Sequence, residues 1–341
     1  MPALFQEAVR EQIKLRAAID GPTGAGKTWT ALQFARILAG PNGTVALGDT
    51  EHRSSLRYAP APGESLDRDR FFDPPYTFKR LDLTAPYNPV GLAELINRAP
   101  DEIGEDGVLI VDSLTHYWVG EGGTLDIVDQ ARLKGFNGFT AWQEGTPPQR
   151  FLLYSIVQCR CHLICTMRSK MEYAMEENTD TKGNRKSTVT KKGMAPEQRS
   201  GIEYEFDLIV SMDLSNRAEV TKSRIPGLMG TVFHPGRSYE MGEALADWLA
   251  TGAPLISTVQ VEAIRAAIGS LPTEEDRVRV RRDFVAKFGR KPADLLASDA
   301  EAAASWVAGQ IAAAGKLAGP LADAVDATEP DEQPSLQEAT T

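Results

Sequence analysis

The chain has 341 residues, 42% of them hydrophobic and 25% charged, an ordinary balance for a folded protein that buries a core without staples. Three cysteines, no signal-peptide pattern and no long apolar run exclude a disulfide scaffold and a membrane span, so a reducing cytoplasm is expected. The net charge of -10 opposes bulk attraction to nucleic acid but allows a local basic patch.

Residues 1–12 read as a short helical lead-in. Leu15, Ala17 and Ile19 then alternate with Lys14, Arg16 and Ala18, as a strand does. The strand enters Gly21-Pro22-Thr23-Gly24-Ala25-Gly26-Lys27-Thr28, which follows the phosphate-loop pattern of Gly, four residues, Gly-Lys and Ser or Thr. Glycines let backbone N–H groups turn inward around a polyphosphate, and a following helix N-terminus favours negative charge. The run from Thr28 to Ala39, closed by Gly40-Pro41, supplies that helix. Lys27 is positioned to reach the β- and γ-phosphates, and the Thr28 hydroxyl to ligate Mg²⁺. The expected ligand is therefore ATP or a similar triphosphate with Mg²⁺.

Val45, Leu47 and their neighbours form a second strand ending in Asp49-Thr50-Glu51. Residues 54–76, rich in proline and glycine, read as a surface excursion. Residues 77–83 alternate as a third strand, and a helix follows with Asn88 as N-cap and Pro89 at its first position. Val108-Leu109-Ile110-Val111-Asp112 is a continuous apolar run ending in an acid. That is the form of a strand buried on both faces, delivering its carboxylate at the carboxyl edge of a parallel sheet. Asp112 is the expected acid that positions Mg²⁺. Ser113 follows it where many ATPases carry a Glu, so the base that activates water must come from elsewhere. Glu51 is the first choice and Asp49 the second.

Residues 114–145 are rich in glycine and aromatics, and a helix near 146–158 leads to strand 162–166. Segment 170–200 shows no periodicity and reads as a long mobile loop. It carries the cations Lys182, Arg185, Lys186, Lys191 and Lys192 without an intervening acid. A hairpin spans 208–222, a helix at 240–250 closes the core, and helices follow at 258–268, 274–288 and 299–313, with Thr273 and Ser298 as caps. The helical unit has a basic cluster, Arg277 to Lys291, read as a solvated face. Past Lys316 the tail has six acids and no base and is expected to be disordered. Cys159, Cys161, His162 and Cys165 raise a zinc reading, but their setting on a buried strand favours free cysteines. The organisation expected is a core over 1–254, a helical domain over 255–315 and a tail over 316–341.

Gly21–Thr28, Asp49-Thr50-Glu51, Leu109-Ile110-Val111-Asp112-Ser113 and Thr221-Lys222-Ser223-Arg224 together resemble the RecA-like ATPases. Ile110–Trp118, Ala141–Pro147 and Thr166–Tyr173 look most like the phage-encoded group described as AAA-type ATPases or RecA-like single-strand annealing recombinases. The resemblance covers about residues 13–250. It implies a mainly parallel α/β sheet with helices on both faces, a β-hairpin and a small helical C-terminal domain, acting in the host cytoplasm. It implies Mg²⁺-dependent ATP hydrolysis coupled to single-stranded DNA. Lys222 and Arg224 would act on the γ-phosphate of a neighbouring subunit in a ring or filament, and a single-strand binding protein is a further expected partner. It also implies DNA contacts at about 114–140, through aromatics, and from Arg168 and Lys170 through the cationic run. The γ-phosphate sensor would be Thr166 or Arg168. A ring-type DNA motor (helicase or packaging ATPase) and a KaiC-like switch without DNA share the same residues.

Overall fold

The computed structural model describes residues 8–64, 74–179, 185–234, 237 and 239–314, with the backbone alone over 171–193. The chain divides into two units. One is Lys14–Ala250, and the other joins the described residues 8–13 to the chain from Thr251 onward.

In chain order the larger unit comprises β1 (Arg16–Gly21), α1 (Lys27–Ala39), β2 (Val45–Asp49), β3 (Lys79–Asp82), α2 (Pro89–Ile103) and β4 (Val108–Asp112). Next come α3 (His116–Val119), α4 (Thr124–Leu133), α5 (Trp142–Val157), β5 (His162–Thr179) and β6 (Arg185–Pro196). β7 (Leu208–Met212), β8 (Ala218–Ser223), β9 (Val232–Phe233) and α6 (Tyr239–Ala250) complete it. The sheet runs β3-β2-β4-β5-β1-β7-β8-β9, with β6 paired to β5 outside that path. β3 through β7 are parallel in this order, and β8 and β9 add antiparallel strands at one side. This is the mostly parallel α/β architecture with C-terminal helices that the sequence predicts.

All five residues of β4 are buried, which explains its unbroken apolar run. Ile110 packs in the cluster that contains Phe34 of α1 and Leu245 of α6. Leu109 and Val111 point the other way, into the cluster of Ile96 from α2 and Leu152 from α5. Helices thus cover both faces, and the carboxyl ends of the parallel strands are left as the open edge. Asp49 pairs in register with Asp112, and Ile19 with Thr166, so β5 stands between the strand feeding the glycine loop and the strand carrying Asp112.

Over its described residues segment 170–200 is mainly a pair of strands rather than a loop. β5 continues past the sheet to Thr179 and β6 returns antiparallel to it, from Thr179 opposite Arg185 down to Ser169 opposite Pro196. Met171, Tyr173 and Met175 do alternate with Glu172, Ala174 and Glu176. Polar residues outnumber apolar ones over 170–179 and along β6, however, so the hydrophobic contrast that normally marks a strand is weak. α5 also starts earlier than the predicted 146, at Trp142, with Pro147 and Pro148 inside it. The helical lead-in over 1–12 is not seen in its described part: Glu11 forms a bridge with Ala253, and the Gln12 N–H donates to the Ala253 carbonyl at 2.9 Å.

In the smaller unit α7 (Thr258–Gly269), α8 (Glu274–Phe288) and α9 (Ala300–Ala313) pack around Ile264, Phe284 and Val307. Ser257 and Gln260 form a capping box on α7, and Thr273 Oγ1 accepts from the Asp276 N–H on α8. The residue before α9 is Asp299, without a side-chain cap, so Ser298 does not play the expected role. The α8 cations are largely answered by nearby acids: Arg277 by Glu274, Arg279 by Asp276 and Arg282 by Asp283. The acidic tail lies outside the described residues. No described helix is long and apolar enough to cross a membrane.

Candidate functional site

The open edge of the parallel strands carries the glycine loop with Lys27 and Thr28, together with Asp112, Thr166, Glu51 and Arg168. β1 ends at Gly21, and the loop to α1 carries Gly24 at φ 86° and Gly26 at φ 90°. Both are in the left-handed region, where glycine turns a chain at no steric cost. The Lys27 ammonium folds back over the loop and donates to the carbonyls of Gly21 and Pro22 at 2.9 and 2.8 Å. No side chain caps α1, whose first amide groups have no partner within the helix itself. An uncapped helix start beside a half-buried ammonium and left-handed glycines fits a polyphosphate. Burial, more than any neighbour, lowers the Lys27 pKa, while Asp112 and Glu51 pull it back up.

Asp112 lies at the centre of this edge and is 2% exposed. The Thr28 hydroxyl donates to its Oδ2 at 2.6 Å, and the buried Thr166 hydroxyl donates to its Oδ1. Burial drives the Asp112 pKa up, and these two hydroxyls partly offset it. A carboxylate and a hydroxyl this close form the hard-oxygen pair that Mg²⁺ prefers, so both residues fit that ion.

The two candidate bases differ sharply. Asp49 is buried and committed to a local turn: its Oδ1 accepts from the Glu51 N–H at 2.8 Å, and its Oδ2 accepts from the Ser55 hydroxyl at 2.5 Å. Glu51 is less buried and meets Arg168, whose Nε and Nη2 donate to Oε1 and Oε2 at 3.1 and 2.7 Å. Burial alone would raise the Glu51 pKa, but the Arg168 hydrogen bonds and charge outweigh it and hold the carboxyl below its usual range. Beside this pair the Thr50 hydroxyl sits 2.6 Å from His116 Nδ1, and the imidazole stacks on Tyr87 at 4.9 Å.

Lys222 and Arg224 are engaged within their own chain. The Lys222 ammonium donates to the carbonyls of Glu203 and Phe206 at 2.5 and 2.7 Å. Arg224 pairs with Asp207 and donates to the Tyr204 carbonyl. Of the cations assigned to nucleic acid, Arg168 lies in the cleft rather than on a loop, and Lys170 pairs with Glu197 at 3.2 Å. Arg185 and Lys186 sit near the far end of the hairpin opposite Thr179 and Asn178, and Lys191 sits opposite Tyr173. Lys192 falls at the register shift beside Tyr173. Lys182 lies outside the described residues. In the other predicted DNA segment Tyr117 belongs to the core and Trp118 stacks on Trp142, whereas Phe139 is 83% exposed. Cys159, Cys161 and Cys165 are free and buried, and the His162 ring instead accepts from the Leu15 N–H.

Sequence reading missed several neighbours of the site. Trp29 and Tyr58 stack with ring centroids 6.4 Å apart, and Trp29 Nε1 donates to the Tyr76 hydroxyl. Asp20 accepts from Ser169 and Ser211, each at 3.0 Å, just before the loop. Trp29 follows Thr28 directly and Asp20 precedes Gly21 directly, so adjacency to the motif was the available signal. The Arg168–Glu51 pair had no such signal.

A glycine loop between a buried parallel strand and an uncapped helix, with an acid from another strand beside its Thr, defines a P-loop nucleotide-binding protein. The model of the AAA domain family matches residues 13–236, and the chain belongs to that family of ATPase-type domains. No curated protein matches the chain.

Proposed function

We propose that this chain is a Mg²⁺-dependent, RecA-like ATPase that couples hydrolysis to single-stranded DNA, serving phage recombination or strand annealing. In this reading Gly21–Thr28 hold the phosphates, with Lys27 neutralising their charge. Thr28 and Asp112 hold Mg²⁺, which when bound would supply positive charge to the β- and γ-oxygens. Glu51 takes a proton from water as the oxygen attacks the γ-phosphorus. The bond to the bridging oxygen breaks, and ADP and inorganic phosphate leave. Lys222 and Arg224 exchange their own-chain carbonyls for the γ-phosphate of a neighbouring subunit, which makes the working form a homo-oligomer. A single-strand binding protein is the partner this role calls for.

The observation that supports DNA coupling best is the continuity of β5. One end places Thr166 against Asp112 and Arg168 against Glu51, and the same strand runs on into the hairpin bearing Arg185, Lys186, Lys191 and Lys192. A two-stranded ribbon rooted in the site joins phosphate chemistry to a cationic arm suited to a polyanion. The test is ATP turnover with and without single-stranded DNA, for the parent and for a Lys182/Arg185/Lys186 triple Ala variant. Stimulation lost in the variant, and weakened by added salt in the parent, supports this reading. Equal turnover with and without DNA refutes it and favours a protein switch.

A further inference from the structure

Among the described residues Arg168 is the one strongly basic group hydrogen-bonded to the proposed base, and it is held in a way that leaves its head free to move. Its N–H donates to the Thr115 hydroxyl at 2.8 Å, and its carbonyl accepts from the Glu197 N–H at 2.7 Å. The backbone at Arg168 is therefore anchored on both sides, and only the side chain can change partner. The Glu51 backbone is anchored likewise, through its N–H to Asp49. The ion pair itself is half-open: the Arg168 side chain is 39% accessible and that of Glu51 25%. The pair lies within electrostatic range of the phosphate-loop amine and the Mg²⁺ acid, since Arg168 acts on Lys27 and Asp112 acts on Arg168.

We infer that Arg168 is a latch on the general base, holding Glu51 until a triphosphate is bound and then transferring its guanidinium to the γ-phosphate. This rests on the reading of Glu51 as the base. A carboxylate held by a bidentate guanidinium is a poor proton acceptor, because protonation must break two charge-assisted hydrogen bonds. A γ-phosphate offers the same fork geometry with more charge and more acceptor oxygens, so it outcompetes a single carboxylate for arginine. A diphosphate has no γ-group to offer, so with ADP the latch stays on Glu51. The arrangement makes the base available only when there is a γ-phosphate to cleave. Arg168 is thus a positioning residue that acts through Glu51 before it touches substrate.

The test is a binding cycle with two probes, ADP and the slowly hydrolysed analogue ATPγS, each with Mg²⁺. The parent, Arg168→Ala, Arg168→Lys, Glu51→Gln and the Arg168→Ala/Glu51→Gln double variant are compared. Arg168→Ala is expected to lose about tenfold in ATPγS affinity, the scale of one hydrogen bond to a charged group, with ADP affinity unchanged. Unchanged ADP binding also shows that the fold is intact. Arg168→Lys retains part of the preference for triphosphate, as a point charge without the fork. Glu51→Gln binds ATPγS more tightly and ADP as before, because Arg168 no longer has to leave a carboxylate. In the double variant that gain disappears, since the two residues act on one event. Equal loss for both nucleotides in Arg168→Ala, or a gain from Glu51→Gln that survives in the double variant, overturns the latch. Single-turnover hydrolysis by Glu51→Gln is read separately: cleavage at the parental rate overturns Glu51 as base, while the binding cycle alone decides the exchange.

Discussion

Replacing Thr166 with Val isolates one bond at the centre of the site. The two side chains have nearly the same shape, and both Thr166 and Asp112 are buried, at 0% and 2% exposure. The substitution therefore removes a donor from the Asp112 carboxylate without opening a cavity or admitting water. Thr28 remains as the other donor at 2.6 Å. A hydrogen bond to a charged group is worth about 1.5–3 kcal/mol. With about 1.4 kcal/mol per tenfold change, that corresponds to about 10- to 100-fold in the balance between ionised and protonated Asp112. The sign follows from the environment: burial already raises the Asp112 pKa and Thr166 holds it down, so its loss raises the value further. Mg²⁺ must then displace a more firmly held proton. The assay is the Mg²⁺ concentration giving half-maximal binding of ATPγS, followed across the neutral pH range. The variant should need more Mg²⁺ than the parent, with the gap widening as pH falls, and Thr166→Ser should restore the parental requirement. A Mg²⁺ requirement equal to the parent's at every pH would falsify the placement of Thr166 as a support of the metal-binding carboxylate.

Asp112→Asn keeps the shape of the side chain and removes its buried charge. Because the folded pKa of Asp112 is raised, the stability linked to its protonation is present below the unfolded value and lost as pH rises through the folded one. The nucleotide-free Asn variant should therefore melt higher than the parent at neutral pH, with the difference closing in acid. The further stabilisation that Mg²⁺·ATP gives the parent should vanish in the same thermal scan. If the variant melts lower at neutral pH, the buried charge is not the cost assigned to it. Lys27→Ala and Arg224→Ala should each abolish turnover, yet a mixture of the two should regain part of it. One subunit type then supplies an intact phosphate loop and the other an intact Arg224 across the interface. No recovery in the mixture, with oligomers formed, would mean that Arg224 does not act in trans.

The fold was legible where physics acts over short stretches of chain. The glycine loop is contiguous because a polyphosphate is cradled by consecutive amides, and β4 shows its burial in five successive residues. The caps at Asn88 and Thr273 obey the same locality, since a cap satisfies an amide only two or three residues away. The hairpin was missed for a matching reason. Period-two patterning is visible only when one face differs from the other in polarity, and the cationic arm of β6 carries few apolar residues on either.

The site was legible as a set of residues but not as a set of partners. Glu51 and Arg168 are 117 positions apart, and their strands are not neighbours, because β4 lies between β2 and β5. The pair forms only because parallel register brings the strand ends level, so that two side chains meet beside the end of β4. Nothing in either residue's local sequence encodes that meeting. It is a consequence of strand order, which is fixed by the whole core. The same reasoning explains why Arg168 read as a nucleic-acid contact: seen along the chain, it is the first cation of a basic segment. Seen across the sheet, it is the partner of Glu51. Strand order is thus what sets a cation at the root of the hairpin against Glu51, a meeting that neither residue's neighbours in the chain announce.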